Sequence, residues 1–187
     1  MSTVIIVGNG SSLLEKNNGK VIDEFDIVVR FNAFTIAGYE KHVGTKIDYW
    51  YNTINFLNKS EEPRLKNKYK KIVIHSWEWD PTKDKTYISF MEHCKDEDVI
   101  IEKTKRETIK EMQEFVDDYS YSSYSTGAIA VWMLLKEYEK VVITGFDWWN
   151  TDKHHYNDNA PRGTLHKPDK EYKFIMKLQK ENKVIIL

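Results

Sequence analysis

Short, β-branched apolar runs recur along the whole chain, at Val4–Val7, Asp26–Phe31, Ile47–Tyr51, Lys71–His75, Val99–Ile101, Val141–Thr144 and Val184–Leu187. Helical patterns separate several of them. Gly127–Tyr138, "GAIAVWMLLKEY", is apolar on most faces and reads as a buried helix, whereas Lys105–Val116 and Asp169–Lys180 read as amphipathic. A strand that is apolar on both faces must be covered on both faces. Such strands alternating with helices predict an α/β fold, a mainly parallel sheet with helices on either side. At 187 residues, with no repeat, linker or low-complexity tract, the chain is expected to form one domain spanning 1–187. Asn58–Lys70 is its most polar stretch, a loop or a charged surface helix.

Ligands of open parallel sheets sit beyond the carboxyl ends of the strands. In this chain those ends read Gly8-Asn9-Gly10-Ser11-Ser12, Arg30-Phe31-Asn32, Tyr51-Asn52-Thr53, Ser76-Trp77-Glu78-Trp79-Asp80 and Gly145-Phe146-Asp147-Trp148-Trp149. Amides and hydroxyls bind sugar hydroxyls and base edges, and indoles stack on rings. The rim therefore suits a nucleotide or a sugar better than a metal-bound triphosphate. The first turn is of the kind that brings N–H groups to phosphate. It is neither a dinucleotide fingerprint, because Leu13 stands where the third glycine belongs, nor a Walker loop, which needs Gly-Lys-Ser/Thr. A second small-residue turn, Ser125-Thr126-Gly127, precedes the apolar helix. It reads equally as an N-cap and as an anion site.

Charge and cysteine content narrow the partners. Twenty-eight Lys and Arg balance 29 Asp and Glu, which leaves no basic field for nucleic acid. The single cysteine, Cys94, excludes an intrachain disulfide and a multi-cysteine zinc site and fits a reducing compartment. With the first strand starting at residue three or four, neither a signal peptide nor a membrane anchor is expected ahead of it, and the expected location is cytoplasmic. His154, His155 and His166 crowd together, but their spacing fits no zinc motif. The Asp96-Glu97-Asp98 triplet reads as a solvated turn, and Cys94, despite the adjacent His93, reads as inert.

Four segments, in order, resemble the motifs of the sialyltransferases of glycosyltransferase family 29, with further similarity to bacterial family 42 sialyltransferases. "VIIVGNGSSLLEKNNGKVIDEFDIVVRFNAF" continuing through "VGTKIDYWYN" resembles the long motif. "YSTGAIAVWMLLKEYEKVVITGF" resembles the short motif, "HYNDN" the third, and "HKPDKE" the very short motif. The resemblance implies a Rossmann-like, GT-A-like domain of the sialyltransferase type. It also implies an inverting, metal-independent transferase that moves sialic acid or a related keto-sugar acid from a CMP-sugar to a hydroxyl of a glycan or glycolipid, with no cofactor. Carried over by position, His166 is the base and His155 stabilises the departing phosphate. Asn9, Asn32 and Asn52 bind the phosphate and ribose side, Ser12 is a further substrate-binding residue, and Trp79 lies beside the nucleotide. Ser125, Thr126 and Gly127 meet the ribose and the donor carboxylate, and Tyr156 belongs to the same substrate-binding group. Glu171 is expected to buttress the last motif. The positions matching a disulfide of animal members are Val4 and Tyr138. Alternatives left open are an inactive nucleotide-sugar-binding domain, a metal-dependent hydrolase using His154, His155 and Asp147, and, distantly, a dehydrogenase.

Overall fold

The computed structural model describes residues 2–53, 69–75, 85–95, 98–148, 155–157 and 166–187. Among these residues seven strands form one sheet: β1 (Val4–Val7), β2 (Ile27–Phe31), β3 (Tyr49–Thr53), β4 (Lys71–His75), β5 (Ile100–Lys103), β6 (Val141–Thr144) and β7 (Val184–Ile186). Their spatial order is β5-β4-β3-β2-β1-β6-β7, and every adjacent pair is parallel. This is the expected Rossmann-like α/β sheet. The order reverses between β1 and β6, which opens a crevice above their carboxyl ends.

Side chains alternate across the sheet, so each strand feeds two cores. Val4, Ile6, Val29 and Ile143 pack with α4 (Arg106–Val116), α5 (Thr126–Leu134) and α6 (Pro168–Lys180). Ile5, Val7, Val28, Trp50 and Ile72 pack on the other face, with Leu13 of the 3₁₀ turn Ser11–Glu15, α1 (Gly19–Asp23), α2 (Glu40–Val43) and α3 (Lys85–His93). α5 is buried almost all round, as its uniformly apolar sequence requires. Among the described residues no helix is long and apolar enough to cross a membrane. Cys94 is a buried free thiol.

The element after the first turn is a 3₁₀ turn. β5 runs over Ile100–Lys103 instead of Val99–Ile101. β3 runs over Tyr49–Thr53 instead of Ile47–Tyr51. Ile47 is buried, but Asp48 closes the entry to the strand: its N–H donates to the Val28 carbonyl at 2.8 Å and its carboxylate accepts the Val28 N–H at 2.9 Å. Ladder pairing then carries the polar Asn52 and Thr53 into the sheet opposite Ile74 and His75. The stretch 58–68 and the rim segment 76–80 lie outside the described residues.

The β1 and β6 loops touch backbone to backbone. Gly8 N–H donates to the Thr144 carbonyl at 2.8 Å, and Gly10 N–H to that of Gly145 at 2.9 Å. A Cβ on Gly8 would stand 2.2 Å from the Gly145 oxygen, so only glycine permits this approach. Gly8→Ala should therefore lower unfolding stability in urea by about 3 kcal/mol, the upper part of the overpacking range. A loss below about 0.5 kcal/mol would contradict the close approach.

β4 ends in His75, buried, with Nδ1 2.8 Å from the Thr104 hydroxyl. Burial, with the charge of His166 acting in the same direction, holds its pKa down at about 4 against an ordinary 6.5. The unfolded chain protonates this imidazole in that window and the folded protein does not, so unfolding takes up a proton. Stability should fall by about 3 kcal/mol as pH drops from 6.5 to about 4. His75→Asn should flatten that part of the curve in pH-dependent denaturation. An unchanged slope would show that His75 is not the group responsible.

Candidate active site

A cleft of about 180 Å³ lies at the reversal point between β1 and β6. Its walls come from Asn9 and Gly10 after β1, Phe31 at the end of β2 and Asn32 after it, and Gly145 to Trp148 after β6. The start of α5, His155, and the His166–Glu171 segment complete it. Thus Asn9, Asn32, Ser125, Thr126, His155 and His166, six of the residues expected at a substrate site, share one cavity.

Hydrogen bonds decide what each presents. Both amide hydrogens of Asn9 are engaged, with Nδ2 donating to the carbonyls of Phe31 at 3.3 Å and Ala33 at 3.2 Å. Asn9 therefore offers its side-chain oxygen, an acceptor, which suits a hydroxyl better than a phosphate. Asn32 is the reverse. It sits in the left-handed region at φ 52°, and its Oδ1 accepts the Thr53 N–H at 3.1 Å and the Thr126 hydroxyl at 3.4 Å. The Thr53 N–H can only donate, which fixes the amide orientation and leaves Nδ2 as the donor group of Asn32.

Ser12 does not line the cleft. Its N–H donates to Asp147 Oδ2 at 3.0 Å and its hydroxyl donates to Asp147 Oδ1. The amide that the loop sequence offers to an anion is thus occupied by a carboxylate of the neighbouring loop. Asn52 is fully buried on β3, outside the cleft lining, and neither atom of its amide has a hydrogen-bond partner among the described residues. Tyr156 is also buried. Its N–H donates to the Asn9 carbonyl at 2.8 Å, and its hydroxyl accepts the Thr35 N–H and donates to the Thr35 carbonyl. It clamps the β1 loop to the segment after β2. Gly127 lies beneath the cleft floor, where a Cβ would come within 3.0 Å of the Phe31 and Phe146 rings. Those rings pack edge to face with centroids 5.8 Å apart. Trp79 and His154 lie outside the described residues.

The start of α5 is tied to α6 by one carboxylate. Ser125 is the N-cap, its oxygen accepting the Ala128 N–H at 3.3 Å. The Ser125 N–H donates to Glu171 Oε1 at 2.7 Å and its hydroxyl donates to Oε2 at 2.6 Å. The Tyr121 hydroxyl lies 3.0 Å from Oε1 and 2.6 Å from the Ser123 carbonyl oxygen, and accepts the Lys167 N–H at 3.1 Å. Burial pushes the Glu171 pKa up, against the pull of these donors and of His166. His166 Nδ1 is 2.7 Å from the Ser123 carbonyl oxygen and 3.9 Å from Glu171 Oε1. A carbonyl only accepts, so Nδ1 carries the proton and the neutral ring keeps its basic lone pair at Nε2.

Two contributors escape sequence reasoning. Asp147 enters it as a rim residue and as a metal ligand, whereas the partner of this carboxylate, Ser12, is 135 residues away. Trp148 stands among rim indoles without a distinguishing signal, and its left-handed backbone, φ 43°, is visible only in the fold. Among the described residues no group of three His, Cys, Asp or Glu side chains is arranged to hold a metal ion.

The chain resembles known proteins along most of its length. It is 26% identical to the CMP-N-acetylneuraminate-beta-1,4-galactoside alpha-2,3-sialyltransferase of Rattus norvegicus, over 87% of this chain and 46% of that protein. It is 28% identical to the beta-1,6-galactosyltransferase GALT29A of Arabidopsis thaliana, over 96% of this chain and 51% of that one. The chain therefore spans about half the length of these curated relatives. Its fold matches a mammalian sialyltransferase crystal structure with a TM-score of 0.72 at 21% identity, over all of this chain and 68% of that one. A crystal structure of a mammalian sialyltransferase in complex with Gal-beta-1-3GalNAc-ortho-nitrophenol gives 0.71 at 20%, with 69% of that chain covered. The sequence model of glycosyltransferase family 29 (sialyltransferase) matches residues 1–183, nearly the whole chain, so the protein belongs to that family.

Proposed function

We propose that this protein transfers sialic acid, or a related keto-sugar acid, from a CMP-sugar to a hydroxyl of a glycan or glycolipid, with inversion and without a metal ion. The observation that carries this reading is the tautomer of His166, whose Nδ1–H is held by the Ser123 carbonyl on the wall of a cleft that also holds His155 and Asn32. Nε2 then accepts the proton of the acceptor hydroxyl as its oxygen attacks the anomeric carbon. The bond from that carbon to the phosphate oxygen breaks, and CMP leaves with the electron pair. His155, the Asn32 amide nitrogen and the first turn of α5 stabilise the charge on the departing phosphate. Glu171, 3.9 Å from Nδ1, favours the imidazolium as it forms.

The hydrogen bonds refine the roles carried over by resemblance. The Ser125 hydroxyl is committed to Glu171 and that of Thr126 to Asn32, so anion recognition at α5 falls to backbone N–H groups. The Asn9 oxygen suits a ribose hydroxyl. A second reading has one specific support: the Arabidopsis relative is named a galactosyltransferase, so membership of the family does not choose the donor. A thermal-shift panel separates the two. CMP and CDP should raise the melting temperature while UDP and GDP should not, and equal stabilisation by UDP would favour the second reading.

The mechanism itself is tested on variants. His166→Ala should cut kcat by about 10²–10⁴-fold while leaving the CMP-induced thermal shift near wild type. His155→Ala should weaken CMP binding as well as slow turnover, and EDTA should leave the rate unchanged. Near-normal kcat in folded His166→Ala would show that this histidine is not the base.

A further inference from the structure

In parallel sheets of this kind the loop after the first strand is where main-chain N–H groups meet a chain of phosphates. Here those groups are already engaged. Gly8 N–H donates to the Thr144 carbonyl and Gly10 N–H to the Gly145 carbonyl. Ser12 N–H donates to Asp147 Oδ2 at 3.0 Å, and the Ser12 hydroxyl donates to Asp147 Oδ1. The carboxylate thus takes two donors of one residue on its two oxygens, as a phosphate would. Gly10 makes room for it, since a Cβ there would stand 2.4 Å from the Asp147 carboxyl carbon. The protein's own anion fills the anion position of the loop.

Asp147 is half-buried and lines the cleft together with Gly10. Both donors it takes from Ser12 are neutral, so its charge is not cancelled there. Among the described residues that line the cleft, the groups able to carry positive charge are the imidazoles of His155 and His166, and none is a lysine or an arginine. Glu171, the other acid of the lining, is turned into Ser125. A donor with one phosphate can keep its charge on the side of Asn32 and the start of α5. A second phosphate in a cleft of about 180 Å³ brings further negative charge close to Asp147, where water is partly excluded and like charges repel more strongly than in bulk solvent. Repulsion of this kind selects between ligands by penalising one of them.

We propose that Asp147 is the donor-selecting residue of the cleft: it occupies the anion position of the β1 loop and thereby restricts the cleft to donors that carry a single phosphate. This rests on the CMP-sugar reading above and adds the group that enforces it.

CMP and CDP differ by one phosphate on the same nucleoside, and titration calorimetry with the two tests the proposal without requiring turnover. The wild-type chain should bind CDP about tenfold more weakly than CMP. Asp147→Asn keeps the shape of the side chain and an oxygen for the Ser12 N–H but removes the charge. In that variant CDP affinity should rise about tenfold and CMP affinity by a smaller factor, so that the ratio of the two moves toward one. Asp147→Ser, short and neutral, should move the ratio in the same direction. A purely structural role for Asp147 would weaken both nucleotides alike and leave their ratio where it was. The unfolding transition of each variant, recorded on the same samples, shows that it is folded. Equal affinity of the wild-type chain for CMP and CDP, or an unmoved ratio in folded Asp147→Asn, would overturn the selection by Asp147 and leave CMP binding in place. A wild-type chain that binds neither nucleotide would remove the CMP-sugar reading, and the selection with it.

Discussion

A buried carboxylate organises the α5–α6 side of the cleft. Glu171, in the first turns of α6, accepts the Ser125 N–H and hydroxyl, and so fixes the N-cap of a helix that begins 46 residues earlier in the chain. Tyr121 and Ser123 close the same network around His166. Hydrogen bonds to a charged acceptor are worth more than neutral ones, and removing that acceptor leaves buried donors unsatisfied. The network therefore couples three things: the direction of the α5 amino terminus, the tautomer of His166, and the placement of α6 against the sheet. Burial raises the cost of ionising Glu171, and the surrounding donors oppose that cost.

The sheet supplies the frame for this network. Because β1 lies between β2 and β6, the loops after these three strands converge on one crevice. Gly8 and Gly10 let the β1 and β6 loops join by main-chain bonds, and Asp147 then ties Ser12 to the β6 loop. This arrangement ties the β1 loop to the β6 loop and occupies the Ser12 amide.

Much of the fold was legible because the strand runs are apolar on both faces, a pattern with few folded solutions. Val4–Val7, Lys71–His75 and Val141–Thr144 keep the boundaries their residues imply. β3 was displaced because its limits are set by pairing with β4 and by the Asp48 closure, neither of which hydrophobicity reports. The site was legible as residue types at strand ends and helix starts, which is why six expected residues meet in one cleft. Their roles were less legible. Whether Asn9 offers an oxygen or a nitrogen, and whether the Ser12 amide is occupied, depends on partners distant in sequence. Val4 and Tyr138, matched by resemblance to a disulfide of animal members, both border a hollow at the amino-terminal ends of β1 and β6.

Glu171, 3.9 Å from His166 Nδ1, is expected to act through the imidazole rather than beside it. A double-mutant cycle on the transfer rate measures this, using Glu171→Ala, His166→Ala and the pair, with donor saturating and each protein confirmed folded by its unfolding transition. If the carboxylate works by holding and charging the imidazole, Glu171→Ala alone slows kcat, and the same change made on the His166→Ala background has almost no further effect. If the two losses multiply, Glu171 contributes independently of the base, which contradicts a network that works through the imidazole.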